Sequence, residues 1–268
     1  MPEGDTVWLT AHRLHQALAG REVTVFDMRV PALATTDLRG DTVAEVVARG
    51  KHILTRFEAG LSLHSHLRMD GSWYLSAADA PPPRRYPSHM IRALIGNANW
   101  LATGYRVHDL QIVTRDGEQG LVGHLGPDLL GPDWDVERAV ANLLRNPEAA
   151  VGEALLDQRN LAGVGNMYKC EVLFMQREHP WTPVGEVRDL HGLVATSHRV
   201  LRANRDHPEQ STTGYTQRGR EHWVYERGGQ SCLRCRTRIR RAEQGAPPRA
   251  RGTYWCPVCQ PGPDRTGG

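Results

Sequence analysis

Cys232-Leu233-Arg234-Cys235 and Cys256-Pro257-Val258-Cys259 lie near the end of a 268-residue chain, with twenty residues between the two pairs. Four thiolates at this spacing can wrap one tetrahedral zinc ion, each pair at the tip of a tight turn. Two disulfides or four unrelated cysteines are the alternative. Only one other cysteine, Cys170, exists in the chain, and a secreted disulfide scaffold is shorter and richer in cysteine. The spacing therefore predicts a zinc ribbon over 229–261, with Cys232, Cys235, Cys256 and Cys259 holding one structural Zn2+. From Gln217 to Gly252 there are ten arginines and three glutamates, a net of +7, whereas the whole chain is +3 and the remainder is therefore −4. Positive charge gathered on the ribbon and its approach points to nucleic-acid phosphate.

Upstream of the ribbon the pattern is helical. Asp135–Arg145 reads as one amphipathic helix. Asn146-Pro147 reads as a cap followed by proline at the first helical position, opening a helix to Gln158. Asn166 caps a helix running to Gln176, and a longer helix covers Glu186–Asn204. His207–Gly229 is polar, basic and aromatic, a loop. Upstream again, Gly117–Asp133 is dense in Gly and Pro and marks a boundary. Before it the chain reads as short strands: Glu22–Val30, Thr42–Val47, Lys51–Phe57, Leu61–Leu67, Ser72–Leu75, His89–Ile95 and Gln111–Val113. Many short strands with turn signals predict a β-sandwich or barrel. Ala77–Pro87 reads as an exposed loop. The chain opens with a helix in which Val7, Ala11, Leu14 and Leu18 repeat at helical spacing, Asp5 is the expected cap and Gly20 the stop.

No apolar run reaches the length of a membrane span. The opening Met1-Pro2-Glu3-Gly4-Asp5 is polar and acidic, unlike a signal peptide, and thiols without an export signal fit the reducing cytoplasm. Of 33 basic residues only Lys51 and Lys169 are lysines. Arginine does not release its proton in a protein and lysine can, so Lys51, and less so Lys169, is a candidate for proton chemistry.

Four further places can carry chemistry. Loss of Met1 would leave Pro2 as a free secondary amine near the positive end of the first helix, which favours its neutral, nucleophilic form. Such an amine can attack an anomeric carbon and form an iminium, with Glu3 beside it to move a proton. Taken alone, many chains begin Met-Pro without catalytic reason. In Leu67-Arg68-Met69-Asp70-Gly71 a large apolar side chain stands at a strand tip between polar neighbours. It is either a core methionine or a wedge for a base stack. Leu161-Ala162-Gly163-Val164-Gly165-Asn166 places glycines before a helix N-terminus, where backbone N–H groups can approach a phosphate. Arg251 lies between the cysteine pairs near an expected hairpin tip, a natural phosphate clamp.

Together these strings resemble the formamidopyrimidine-DNA glycosylase/endonuclease VIII family of base-excision repair enzymes. The resemblance runs nearly end to end, through Met1-Pro2-Glu3-Gly4, Arg49-Gly50-Lys51-His52, Leu125-Gly126-Pro127-Asp128, Gly163-Val164-Gly165-Asn166, Tyr215-Thr216-Gln217-Arg218-Gly219 and Tyr254-Trp255-Cys256-Pro257-Val258-Cys259-Gln260. It implies a multi-domain α+β fold. An N-terminal helix and two-layer β-sandwich would occupy 1–120 and a hinge 121–133. A helix–two-turn–helix domain would follow over 134–228, then the zinc ribbon and a tail over 262–268. It also implies a bifunctional DNA glycosylase and abasic-site lyase acting on damaged DNA, monomeric, without a small-molecule cofactor, on the bacterial nucleoid. Pro2 becomes the nucleophile, Glu3 the general acid, Lys51 a phosphate contact and proton donor, and Arg251 a phosphate grip that helps the second elimination. Asn166 binds phosphate at its helix cap, and Arg68, Met69 and His124 contact DNA, Met69 filling the void left by the extruded base.

Three departures stand out. The family often has Pro-Glu at Asp5-Thr6. His124 replaces an arginine before Gly-Pro-Asp, which implies that one phosphate contact is either weakened or made pH-dependent. The Arg/Phe pair of the guanine-repair branch is not evident near Ala102–Asp109. With the Gly4-Asp5 start and the Tyr-Trp-Cys-Pro ending, these lean toward the endonuclease VIII branch and oxidised pyrimidines. The rivals are a glycosylase for oxidised purines and a non-catalytic protein that keeps the fold to bind damaged DNA.

Overall fold

The computed structural model describes residues 2–80 and 87–262. Met1, most of the proline-rich 77–87 segment and most of the C-terminal tail lie outside them. The chain forms two compact units, Met1–His124 and Leu125–Gly268.

The first unit opens with α1 (Gly4–Leu18). Its cap is Glu3, not Asp5. Asp5 instead lies buried in the first turn, where a carboxylate meets the positive end of the helix. Gly20, at φ +70°, takes the left-handed conformation that ends the helix. Nine strands follow: β1 (Arg21–Glu22), β2 (Val25–Met28), β3 (Thr42–Arg49), β4 (His52–Phe57), β5 (Leu61–His66), β6 (Ser72–Ala77), β7 (Ile91–Gly96), β8 (Trp100–Tyr105) and β9 (Asp109–Thr114). They make a five-stranded sheet, β1-β3-β4-β5-β9, and a four-stranded sheet, β2-β7-β8-β6. Val43, Ile53, Phe57 and Leu63 of one sheet share a core with Phe26, Ala93, Ile95 and Ala102 of the other and with Val7, Ala11, Leu14 and Leu18 of α1. Phe26 meets Phe57 edge-on, ring centroids 6.1 Å apart. This is the expected sandwich.

The strands differ from expectation in three places. Glu22–Val30 is not one strand, because the chain leaves the first sheet after β1, which pairs with β3, and enters the second as β2, which pairs with β7. Residues 88–90 form a 3-10 turn, so that strand starts at Ile91. Trp100–Tyr105 is an additional strand. Its Ala102 and Gly104 carry little β signal, yet it is central, paired with β6 and β7. A side chain on Gly104 would meet the Trp73 ring at 3.3 Å. A short helix, α2 (Glu118–Val122), closes the unit. Its buried Glu118 is fixed by Arg56 (Nη2–Oε2 2.6 Å) and Ser62 (Oγ–Oε1 2.5 Å).

The second unit holds α3 (Val136–Leu144), α4 (Val151–Leu156), α5 (Asn166–Met175), α6 (Leu190–Asn204) and a hairpin of β10 (Arg240–Gln244) and β11 (Arg251–Trp255). Asp135 caps α3 by accepting the Arg138 N–H, and Asp189 caps α6 by accepting that of Gly192. α6 thus starts at Leu190, not Glu186, since Val184–Glu186 is a separate 3-10 turn. α4 starts at Val151, not after Asn146. Ala149 accepts the Val184 N–H and Ala150 bridges Pro183, so these residues pair with a distant segment instead of coiling. α5 is capped by Gly165, and Asn166 is its first residue. α5 is buried on all sides, against Leu155, Leu193 and Leu201 of its helical neighbours and against the ribbon. Among the described residues no helix is long and apolar enough to cross a membrane.

Candidate active site and nucleic-acid interface

In the second unit the four cysteines converge. Their Sγ atoms all lie within 4.8 Å of one another, with Cys235–Cys256 at 3.4 Å and Cys232–Cys259 at 4.0 Å. Sulfurs at ~2.3 Å from one zinc would sit about 3.8 Å apart along a tetrahedron's edge. The thiols are unpaired by disulfide, so the donor set fits a single soft divalent cation. Each pair is turned by its own amides, Arg234 N–H donating to Cys232 Sγ and Cys259 N–H to Cys256 Sγ. Burial pushes the Cys256 and Cys259 thiols up, while the Thr237 hydroxyl pulls Cys235 down to about 6.

The ribbon is tied to the helices by named bonds. Gln260 Nε2 donates to Glu178 O at 2.8 Å, Gln244 Nε2 to Pro180 O at 2.7 Å, and Lys169 Nζ to Thr253 Oγ1 at 2.6 Å. Lys169 is wholly buried, and this bond docks Thr253 of the ribbon on α5. Asn166 Nδ2 donates to Gly252 O at 2.8 Å, the carbonyl next to exposed Arg251. Asn166 and Arg251, 85 positions apart, are thereby neighbours.

The glycine turn before α5 is built by Gln158, whose side chain accepts the Gly163 N–H and donates to Val164 O. Leu125-Gly126-Pro127-Asp128 lies alongside it, with Asp128 bridging Ala162. Gly126 has no substitute, because a Cβ there would meet Asn160 O at 2.5 Å. Tyr215-Thr216-Gln217-Arg218-Gly219 belongs to a loop pinned at its base by buried Glu171, which accepts the backbone N–H groups of Trp223, Val224 and Tyr225 at 2.7–2.9 Å.

In the first unit, Pro2 is half-buried and Glu3 wholly buried at the α1 N-terminus. Lys51 sits in the two-residue turn between β3 and β4 behind Gly50, whose φ is +57°. Around it the structure gathers residues that no local pattern picks out. His52 Nδ1 and His64 Nε2 share a hydrogen bond at 2.8 Å, and the His52 ring meets those of His64 and His66 with centroids 5.0 Å apart. His66 Nδ1 accepts the Arg68 N–H at 3.0 Å, so the proton of neutral His66 rides on Nε2. Arg68 and Asp109 lie beside this cluster, through the Arg68 N–H and the pairing of Asp109 with His66, and the charges of Lys51 and His124 also act on it. The alternation of His64 and His66 with Ser65 places the two rings on one face of a strand. Nothing local could show that His52 comes opposite them.

Burial pushes His52 down to about 3 and His66 down to about 4, and Arg68 adds to the effect on His66. His64 is lowered too, chiefly by burial. Below about pH 6.5 the unfolded chain takes up protons that these rings refuse in the fold. Their contribution is therefore complete above 6.5 and lost progressively as pH falls toward 4 and then 3. Thermal stability should fall on going from about pH 7 to about pH 5, and His52→Phe should make that fall shallower. Equal slopes in the two proteins would rule out the cluster as its source.

Met69, 61% exposed, stands at the surface and is not a core methionine. It lines a groove with Gly71, Met90, Tyr105 and Arg106. Arg106 lies in the stretch where no Arg/Phe pair is evident, at φ +52°. The stretch carries this arginine and no phenylalanine.

A β-sandwich led by a helix, a helix–two-turn–helix segment and a four-cysteine ribbon define the DNA glycosylase/lyase class of base-excision repair proteins. The formamidopyrimidine-DNA glycosylase N-terminal domain model matches residues 1–106, and the H2TH domain model of the same family matches 125–210. The chain is 55% identical to a probable endonuclease 8 2 of Streptomyces coelicolor over 100% of this chain and 97% of that one. It is 43% identical to the DNA-(apurinic or apyrimidinic site) lyase Nei2 of Mycolicibacterium smegmatis, over 97% and 99%. A Lactococcus lactis formamidopyrimidine-DNA glycosylase solved with DNA containing an oxidised pyrimidine superposes with a TM-score of 0.80 at 25% identity, covering 97% of this chain and 100% of that one. The chain belongs to the formamidopyrimidine-DNA glycosylase/endonuclease VIII family, on its endonuclease VIII-like branch.

Proposed function

We propose that the protein removes oxidised pyrimidines from DNA and cuts the strand at the resulting abasic site, using the amine of Pro2. The observation that carries this reading is the placement of Glu3, a carboxylate with no solvent exposure, at the head of α1 immediately beside the residue whose amine would attack. The amine nitrogen bonds to C1′ and gives up its proton, the C1′–base bond breaks, and the base departs with a proton. The C1′–O4′ bond then opens, O4′ taking a proton, and leaves the iminium, with Glu3 supplying protons directly or through the sugar. The iminium makes the C2′ hydrogens acidic. Loss of one expels the 3′ phosphate, and a second elimination expels the 5′ phosphate. Lys51 donates protons and contacts phosphate in these steps. Arg68, His124, Asn166 and Arg251 bind the backbone, and Met69 fills the void in the stack.

Cys232, Cys235, Cys256 and Cys259 hold one structural zinc, which supplies fold and no chemistry. The 134–228 helical segment and the 229–261 ribbon act as one DNA-binding half, 1–120 as the catalytic half, and 121–133 as the connection between them. The protein works as a monomer on nucleoid DNA in the cytoplasm. What supports the pyrimidine assignment is the endonuclease 8 naming of the relatives together with a 102–109 stretch that has Arg106 but no phenylalanine.

The test is borohydride trapping on duplexes carrying thymine glycol, 8-oxoguanine or an abasic site, with mass mapping of the adduct. Thymine glycol should trap faster than 8-oxoguanine, with the adduct on residue 2. Faster trapping on 8-oxoguanine would favour the purine alternative, and binding with no adduct on any duplex would favour the non-catalytic one.

A further inference from the structure

Met69 stands in one of two neighbouring turns at which the chain crosses between the sheets. Residues 67–71 carry it from β5 in the five-stranded sheet to β6 in the four-stranded one, and residues 106–108 carry it back from β8 to β9. The crossings are in register, with His66 opposite Asp109 in one sheet and Ser72 opposite Tyr105 in the other. Each turn gives an arginine to the other side. Arg68 donates Nε and Nη2 to Asp109 Oδ2 at 3.0 and 2.7 Å, and Arg106 donates Nη1 to Asp70 Oδ2 at 3.0 Å. Both arginines sit in left-handed backbone, at φ +53° and +52°, a conformation that a non-glycine residue holds only when its surroundings insist. The backbones also touch. A Cβ at Gly71 would meet Leu67 O at 2.6 Å and Arg106 O at 3.2 Å. Met69 is the residue left standing out between the two pairs.

We propose that Asp70 and Asp109 are positioning residues that latch the two crossings together through Arg106 and Arg68, and so hold Met69 raised before DNA arrives. The inference rests on the reading of Met69 as the stack-filling residue. Preforming the wedge spares the protein the ordering of a turn at the moment of insertion. Exposed pairs are individually weak. Because both pairs join the same two turns, either alone keeps them together, and the latch opens fully only when both are lost.

The test uses the full chain and a duplex with an uncleavable tetrahydrofuran abasic analogue and 2-aminopurine beside it, whose emission reports whether the void is filled. The wild type should quench the probe and Met69→Ala should not. Asp70→Asn and Asp109→Asn should each cost less than about twofold in the insertion rate, and the double variant about tenfold, well beyond the product of the singles. Neutralising two carboxylates raises the net charge by two, so simple electrostatics predicts tighter DNA binding. Slower insertion at undiminished affinity therefore points to positioning. Exchanging one pair, Arg106→Asp with Asp70→Arg, in the Asp109→Asn background should recover most of the loss, and this keeps the test valid if the double variant is poorly folded.

A double variant that inserts like the wild type, or an exchange that rescues nothing, overturns the latch while Met69→Ala still fails to quench. Wild-type quenching by Met69→Ala overturns the wedge itself, and the latch with it.

Discussion

Protein that retains Met1 should form no borohydride-trapped adduct on abasic DNA and should lose strand cleavage by at least about 10³-fold, the scale on which removing a covalent nucleophile acts. The same protein should bind the DNA normally. The expectation follows from the chemistry of residue 2. Once Met1 is gone, Pro2 is a secondary amine at the positive end of α1, and neighbouring partial positive charge favours its neutral form. A secondary amine gives an iminium that keeps its positive charge, because its nitrogen has no proton to lose. The electron sink for both eliminations is then present throughout. A primary amine gives an imine that must be protonated first. Pro2→Ala should therefore still trap, but cut about tenfold more slowly or worse, with a steeper loss toward high pH. Glu3→Gln should separate the steps, cutting preformed abasic sites while losing about 10²–10⁴-fold in base removal. Wild-type cleavage by a protein with a verified N-terminal methionine would remove residue 2 from the mechanism. Wild-type rates with Pro2→Ala would remove any special role of proline.

Much of this arrangement is legible in the sequence. Apolar alternation and turn residues give the sandwich, the first helix and the ends of α3, since their information is local. The cysteine spacing gives the four-cysteine cluster for the same reason. The departures have a common physical origin in pairing between distant segments. Trp100–Tyr105 is a strand because β6 and β7 hold it on both sides, although its small residues have little β preference of their own. α4 starts later than its cap signal predicts because Ala149 and Ala150 pair with residues more than thirty positions away. His52 and His64 form a pair only through the register of β4 on β5. Arg106 and Asp109 carry no local signal, because their meaning depends on Arg68 and Asp70 lying opposite them. At Asn166 the glycine-rich approach suggests a phosphate-binding cap. The fold adds that its amide nitrogen holds Gly252, tying Asn166 to the strand that carries Arg251.

Cys256→Ala should abolish zinc binding and weaken DNA binding by at least about 100-fold, while the first unit stays folded. Apparent zinc binding to a four-thiolate site is worth on the order of 10–16 kcal/mol, and that energy is folding energy for a module this small. The ribbon's own apolar core is small: Ile239 and the cysteines pack on Val224 and on Cys170 and Phe174 of α5, and Trp255 packs on His179 and Trp181. Without the metal, the buried Cys256 and its partners no longer define the turns that set Gln260 on Glu178, Thr253 on Lys169 and Gly252 on Asn166. Arg251 then loses its place, and so do the other arginines of the hairpin. The salt dependence of binding should flatten with them, by roughly 0.9 in slope for each phosphate that is no longer neutralised. This is the more telling readout, since a merely destabilised protein would bind less without changing slope. Cys170→Ala is the control, because Cys170 stands outside the four-sulfur cluster, and it should keep one zinc per chain. Chelation of the wild type should reproduce the Cys256→Ala phenotype and added zinc should reverse it, whereas zinc should do nothing for the variant. A Cys256→Ala protein that holds one zinc and keeps the wild-type salt slope would mean that the cluster is not what fixes Arg251 against DNA.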